Sequence, residues 1–147
     1  MKLMFANSLV GAVDILLLFF LQAKLRECGM PAWGLGPALL FMEMGGLVGA
    51  KIILKAPKIA YRKLFIITTL LVVSGVLIEH SGIFFLMTLG GFLAAIGDDA
   101  LQVRTNAVLQ DMFPSEQRAT LTSIESFTFS VIMIVLSPIA GIVFTYW

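Results

Sequence analysis

Charged residues are scarce in this chain, and cysteine and histidine are scarcer still. Only 13% of the 147 residues are charged, whereas a soluble domain carries about 25%, so water is not the chain's main solvent. Cys28 is the single cysteine and His80 the single histidine, which excludes a disulfide within one chain and a metal cluster of cysteines and histidines. The net charge of +1 leaves no basic surface for a nucleic-acid partner.

Hydrophobic residues are abundant instead, at 59% of the chain, and the mean hydropathy is +1.00. Five apolar runs cover residues 5–23, 36–54, 64–78, 83–108 and 119–144. Each run is close to the roughly 20 residues that a membrane-spanning helix needs, and none shows the strict alternation of a barrel strand. The sequence predicts an all-α membrane bundle of about five transmembrane helices, formed by residues 1–147 as a single domain.

Basic residues crowd the second connection: Lys51, Lys55, Lys58, Arg62 and Lys63. Loops rich in lysine and arginine face the cytoplasm. We therefore expect a multi-pass protein of the cell membrane with a cytoplasmic N-terminus and, after five helices, an external C-terminus.

Small residues four positions apart predict close contacts between helices. Gly45 with Gly49 and Gly90 with Ala94 let backbones approach, so the second and fourth helices are expected inside the bundle. The fourth connection carries Pro114 and then a serine, Ser115, which we predict to cap the fifth helix.

Polar residues within the apolar runs are the candidates for function, because an ionised side chain at a helix centre costs about 2.5 to 3.5 kcal/mol on insertion scales. Asp14 and Glu43 lie near the middle of their runs, at the depth where secondary transporters bind substrate and coupling ion. Gln22 is a further hydrogen-bonding candidate for a substrate or for a neighbouring helix.

Asp98 and Asp99 are adjacent, so their side chains point about 100° apart on a helix, and Gln102 shares the face of Asp98. Close carboxylates at low dielectric disfavour double ionisation, which suits a residue that exchanges a proton during transport. The alternative is that one aspartate simply pairs with Arg104 or Arg118.

An enzyme is not expected, because His80 stands alone in a predicted loop and no nucleophile, base or metal cluster accompanies it. The sequence predicts no catalytic residue, no metal site and no cofactor.

One segment resembles a known family. It contains Asn106, Pro114, Ser115, Glu116, Gln117, Arg118, Ala119, Thr120 and Ser123. It is similar to the connection between the tenth and eleventh helices of major facilitator transporters, especially drug-exporter-like members. Asn7, Gln22 and the basic loop resemble the family's seventh helix and the loop after its eighth, although the family's Asp-Arg pair does not follow Gly49.

The resemblance implies that the five helices correspond to the family's seventh to eleventh, so that the chain is a half without the first six helices and the twelfth. It implies proton-coupled efflux of a small molecule across the lipid bilayer, completed by an N-terminal half or by a second copy. Arg104, Asn106, Pro114 and Arg118 would then belong to the cytoplasmic loop region that changes conformation. The alternative is a non-transporting remnant or small membrane partner protein.

Overall fold

A computed structural model describes residues 2–146, with side chains from residue 3 onward. They form five α-helices: α1 (Lys2–Glu27), α2 (Ala32–Lys55), α3 (Tyr61–Glu79), α4 (Phe84–Asp111) and α5 (Arg118–Thr145). A short 3-10 turn, Ser115–Gln117, precedes α5. Within the described residues there is no β-strand, so the all-helical prediction is confirmed.

All five helices are long and apolar enough to cross a membrane. The shortest, α3, has 19 residues, which gives a length of about 28 Å and nearly matches the roughly 30 Å hydrocarbon core. The helix positions agree with the apolar runs to within a few residues at each end. The chain therefore has the secondary structure of a multi-pass membrane protein.

The connections use residues suited to sharp turns. Gly29 and Gly82 adopt positive φ angles of 90° and 70°, a conformation that glycine alone adopts without a steric cost from Cβ. The prediction that Ser115 caps the fifth helix is wrong. The 3-10 turn places Gln117 at the N-cap of α5, and Gln117 makes no capping hydrogen bond through its side chain.

The described residues form two compact units, and α1 and α4 each contribute to both. The first contains residues 2–20 and 105–146, and the second contains residues 21–104. In the first unit, Met4, Leu109 and Leu121 form a buried cluster. The rings of Phe20 and Phe144 stack with their centroids 4.0 Å apart.

In the second unit, glycines bring α2 against α4. A Cβ atom added at Gly45 would overlap the carbonyl oxygen of Phe92, and one added at Gly49 would overlap that of Ile96. Phe41 stacks on Phe92 at a centroid distance of 4.7 Å beside this contact. The close approach predicted from the glycine spacing on α2 is confirmed.

The same unit brings α3 against the other side of α4. A Cβ at Gly75 would lie 2.6 Å from the carbonyl oxygen of Gly90, and a Cβ at Gly90 would lie 2.6 Å from that of Gly75. Further along, a Cβ at Gly97 would lie 2.9 Å from the carbonyl oxygen of Thr68. The α4 helix therefore packs backbone to backbone against both α2 and α3.

Candidate functional site

Three polar side chains from α1, α4 and α5 meet in the first unit. The Asn7 amide nitrogen, Nδ2, donates to Glu125 Oε1 at 2.7 Å and to Asn106 Oδ1 at 3.0 Å. We call Asn7, Asn106 and Glu125 the polar triad. Because a side-chain amide has two N–H groups, Asn7 can satisfy both acceptors at once and forms the centre of the triad.

The helices hold the polar triad from several directions. Ser8, which follows Asn7, is buried and its hydroxyl donates to the backbone carbonyl of Glu125 at 3.4 Å. Thr105, which precedes Asn106, is also buried. Asn7 and Glu125 are half-buried, while Asn106 is exposed. The Glu125 side chain is thus held by Asn7 and remains partly exposed.

An apolar layer lies one helical turn from the polar triad, toward the connection between α4 and α5. It consists of Met4, Leu109 and Leu121, which are three or four residues from Asn7, Asn106 and Glu125 respectively and therefore share their helix faces. A cavity of about 390 Å³ opens within this layer. Its lining is mainly apolar and includes Phe113, Gln117 and Ile124.

This region combines an apolar cavity with a carboxylate held by a hydrogen bond. The cavity accepts an apolar group, and the Glu125 carboxylate can hold a proton or a hydrogen-bond donor one turn away. Among residues 2–146, no three histidine, cysteine or acidic side chains lie close enough to hold a metal ion.

The aspartate pair on α4 has two different surroundings. Asp98 is only 7% exposed, and its Oδ2 accepts a hydrogen bond of 2.7 Å from Gln102 Nε2. The prediction that Gln102 shares the face of Asp98 is confirmed. Asp99 is half-buried and its carboxylate lies against Gly46 of α2, where any Cβ would overlap it. The two carboxylates therefore face different neighbours, as their adjacent positions require.

The remaining candidates occupy different positions. Asp14 and Gln22 are half-buried on α1. Glu43 is exposed on α2, away from the glycines that meet α4. Arg104 is half-buried, and its Nε is buried without a hydrogen-bond partner among residues 2–146.

The two remaining loop candidates lie close together along the chain. Pro114 precedes the 3-10 turn, and Arg118 is the exposed first residue of α5. Neither side chain forms part of the polar triad. Sequence reasoning left Asn7 and Glu125 out of the leading candidates, although Glu125 is an ionisable residue within an apolar run. The sequence does not show which residues of the other helices lie at the same depth as Glu125.

Comparisons with protein-family models, with curated proteins and with solved structures found no match. The resemblance to major facilitator transporters therefore stays a prediction from the sequence.

Proposed function

We propose that this chain is the five-helix part of a major-facilitator-type secondary transporter that exports a small molecule in exchange for protons. It lies in the cell membrane with its N-terminus in the cytoplasm. The observation that carries the proposal is the polar triad, which places a carboxylate and two amides between three helices that are long and apolar enough to span a membrane. Ionisable side chains within spanning helices mark substrate and proton pathways.

Glu125 has the chemistry that proton coupling needs. Asn7 donates to its carboxylate at 2.7 Å, and Asn7 is neutral. A neutral donor fixes the position of the carboxylate without cancelling its charge. The second carboxylate oxygen can then take a proton or a donor group of the substrate, which a permanent ion pair with lysine or arginine would prevent.

The proposed transporter needs more helices than the five described. Alternating access in the major facilitator fold is a rocking movement between two bundles about a site near the midplane. A complementary N-terminal half or a second copy of this chain would supply the other bundle.

Transport is tested with the purified chain in liposomes that carry a pH gradient, acid inside, and with ethidium as a fluorescent probe molecule. We expect uptake above that of protein-free liposomes and its loss in Glu125→Gln. Glu116→Gln is the matched control, because Glu116 is exposed on the 3-10 turn outside the five helices. Equal uptake by Glu125→Gln would contradict the proposal, and absence of uptake by the unmodified chain would contradict its completion by a second copy.

A second function, that of a small membrane protein that associates with other helices without transporting, is favoured by the contacts of Asp98. This buried carboxylate accepts a hydrogen bond from Gln102 of the same helix, an arrangement that stabilises a helix and requires no substrate. Folding of the reconstituted chain without ethidium uptake would favour this second function.

A further inference from the structure

One face of α2 carries a regular heptad pattern that the other helices of the second unit leave uncovered. Leu40, Leu47 and Leu54 recur every seven residues and are 66%, 65% and 71% exposed. Gly36, Glu43 and Ala50 occupy the alternate position of the same heptads, each four residues before one of these leucines. We call these six residues the α2 seam.

The α2 seam is a different surface from the one that packs within the chain. Glu43 is about 110° around the helix from the centre of the face formed by Gly45, Gly46 and Gly49, which meets α4. An alternation of four and three residues is the spacing at which two helices pack side by side along their length. The seam thus has the pattern of a helix-pairing surface.

Glu43 distinguishes this face from an ordinary lipid-facing one. It is exposed and is the twelfth residue of the 24-residue α2, so it lies about 17 Å from either helix end, in the middle of a spanning helix. A carboxylate at that depth is unfavourable against lipid and normally faces protein or water. Whatever covers the seam must bring a polar group to the same depth.

We propose that the α2 seam is the interface between two copies of this chain. Copies inserted in the same orientation carry Glu43 at the same depth, and in a parallel pair of helices each residue at its heptad position meets its own counterpart. The two Glu43 carboxyl groups would then hydrogen-bond to each other, with the protonated one donating. A single polar residue at such a position fixes the register of the pair.

A second copy, related by a two-fold axis, brings its own Glu43 to the same depth in the membrane. A closed two-fold pair is also the commonest arrangement of homo-oligomers. The seam leucines would pack on each side of the Glu43 pair, and the small residues Gly36 and Ala50 would let the two backbones approach. This interface does not depend on the proposed transport function, and it exists equally in a non-transporting protein.

The test is oxidative crosslinking of the purified chain in liposomes at a low protein-to-lipid ratio, with Cys28→Ser removing the only native thiol. We expect a disulfide-linked dimer from Leu47→Cys and none from Val48→Cys. Val48 is also exposed and lies at nearly the same depth, but it points about 100° away. Equal crosslinking at both positions would indicate random collision and would overturn the proposal. Absence of crosslinking at both positions would show that lipid or another partner covers the seam and would also overturn it.

The role of Glu43 is tested in the same Leu47→Cys background. Glu43→Leu should weaken dimerisation about threefold to twentyfold, the range measured for polar contacts between membrane helices, whereas Glu43→Gln, which keeps a hydrogen-bonding group, should dimerise nearly as well as the unmodified chain. Because Glu43 is exposed in a single copy, both variants should retain their helical circular-dichroism spectrum. Unchanged dimerisation of Glu43→Leu would contradict the pairing of the carboxyl groups.

Discussion

The contact between Gly75 of α3 and Gly90 of α4 allows a substitution whose effect can be worked out from distances. In Gly75→Ala the added Cβ would lie 2.6 Å from the carbonyl oxygen of Gly90 and 2.9 Å from the backbone nitrogen of Ala94. Ordinary contacts begin at 3.4 Å, so the two helices must separate locally by about 0.8 Å, the difference between 3.4 and 2.6 Å. Backbone atoms cannot rotate away as a side chain can.

Overpacking of this kind costs about 1 to 3 kcal/mol, and the rigid neighbours place Gly75→Ala toward the upper end. Alanine offsets about 1 kcal/mol through its better helix propensity. We therefore expect a net loss of about 1 to 2 kcal/mol, which corresponds to a fall in Tm of roughly 3 to 8 °C for a chain of this size.

Thermal unfolding in detergent micelles, followed by far-ultraviolet circular dichroism, measures this change. Gly141→Ala is the control, because Gly141 is also helical and a Cβ there meets nothing within 4 Å. Its Tm should be unchanged or slightly raised. A Tm for Gly75→Ala equal to or above that of Gly141→Ala would refute the reasoning about backbone contact.

Two further predictions concern the polar triad and a turn. Asn7→Leu removes the donor to both Glu125 and Asn106, and we expect it to destabilise the chain by about 0.6 to 1.7 kcal/mol. Asn106→Leu, which leaves the bond to Glu125, should destabilise it less in the same thermal measurement, and the reverse order would contradict the central position of Asn7. Gly82→Ala should lower the free energy of unfolding by about 1 kcal/mol, because the φ angle of 70° is unfavourable for a residue with a Cβ. Gly141→Ala, at a helical glycine that also has open space around it, should not be destabilising, and equal Tm values would exclude backbone strain at Gly82.

The helices were predictable from the sequence because lipid imposes one simple requirement. Each run must be apolar and long enough to cross the bilayer, and each must satisfy its own backbone. The start of α5 was less predictable. Ser115 is a good N-cap residue by type, but Pro114 is followed by a 3-10 turn that moves the first α-helical residue to Arg118. That choice depends on local turn geometry that residue preferences do not determine.

The candidate site was only partly predictable, because depth along a helix can be read from the sequence more easily than direction around it. Asp14 and Glu43 were singled out by depth, yet Glu43 is exposed on the outer face of α2. The glycine spacing does indicate the direction around α2. Gly45 and Gly49 identify the side of α2 that meets α4, and helical geometry then places Glu43 well outside it. No comparable signal in the sequence joins Asn7 to Glu125, which are 118 residues apart.

The carboxylates of Asp98 and Glu125 differ in what a movement of the helices would do to their hydrogen bonds. Asp98 accepts from Gln102, four residues further along the same helix, so their bond moves with α4 as a rigid unit. Glu125 of α5 accepts from Asn7 of α1 at 2.7 Å, and hydrogen bonds weaken beyond about 3.2 Å, so a relative shift of the two helices by about 1 Å would break this contact. A half-buried carboxylate that loses its donor needs another hydrogen-bonding partner. The polar triad is therefore a contact that a movement of α1 relative to α5 would open, whereas the bond between Gln102 and Asp98 lies within α4 alone.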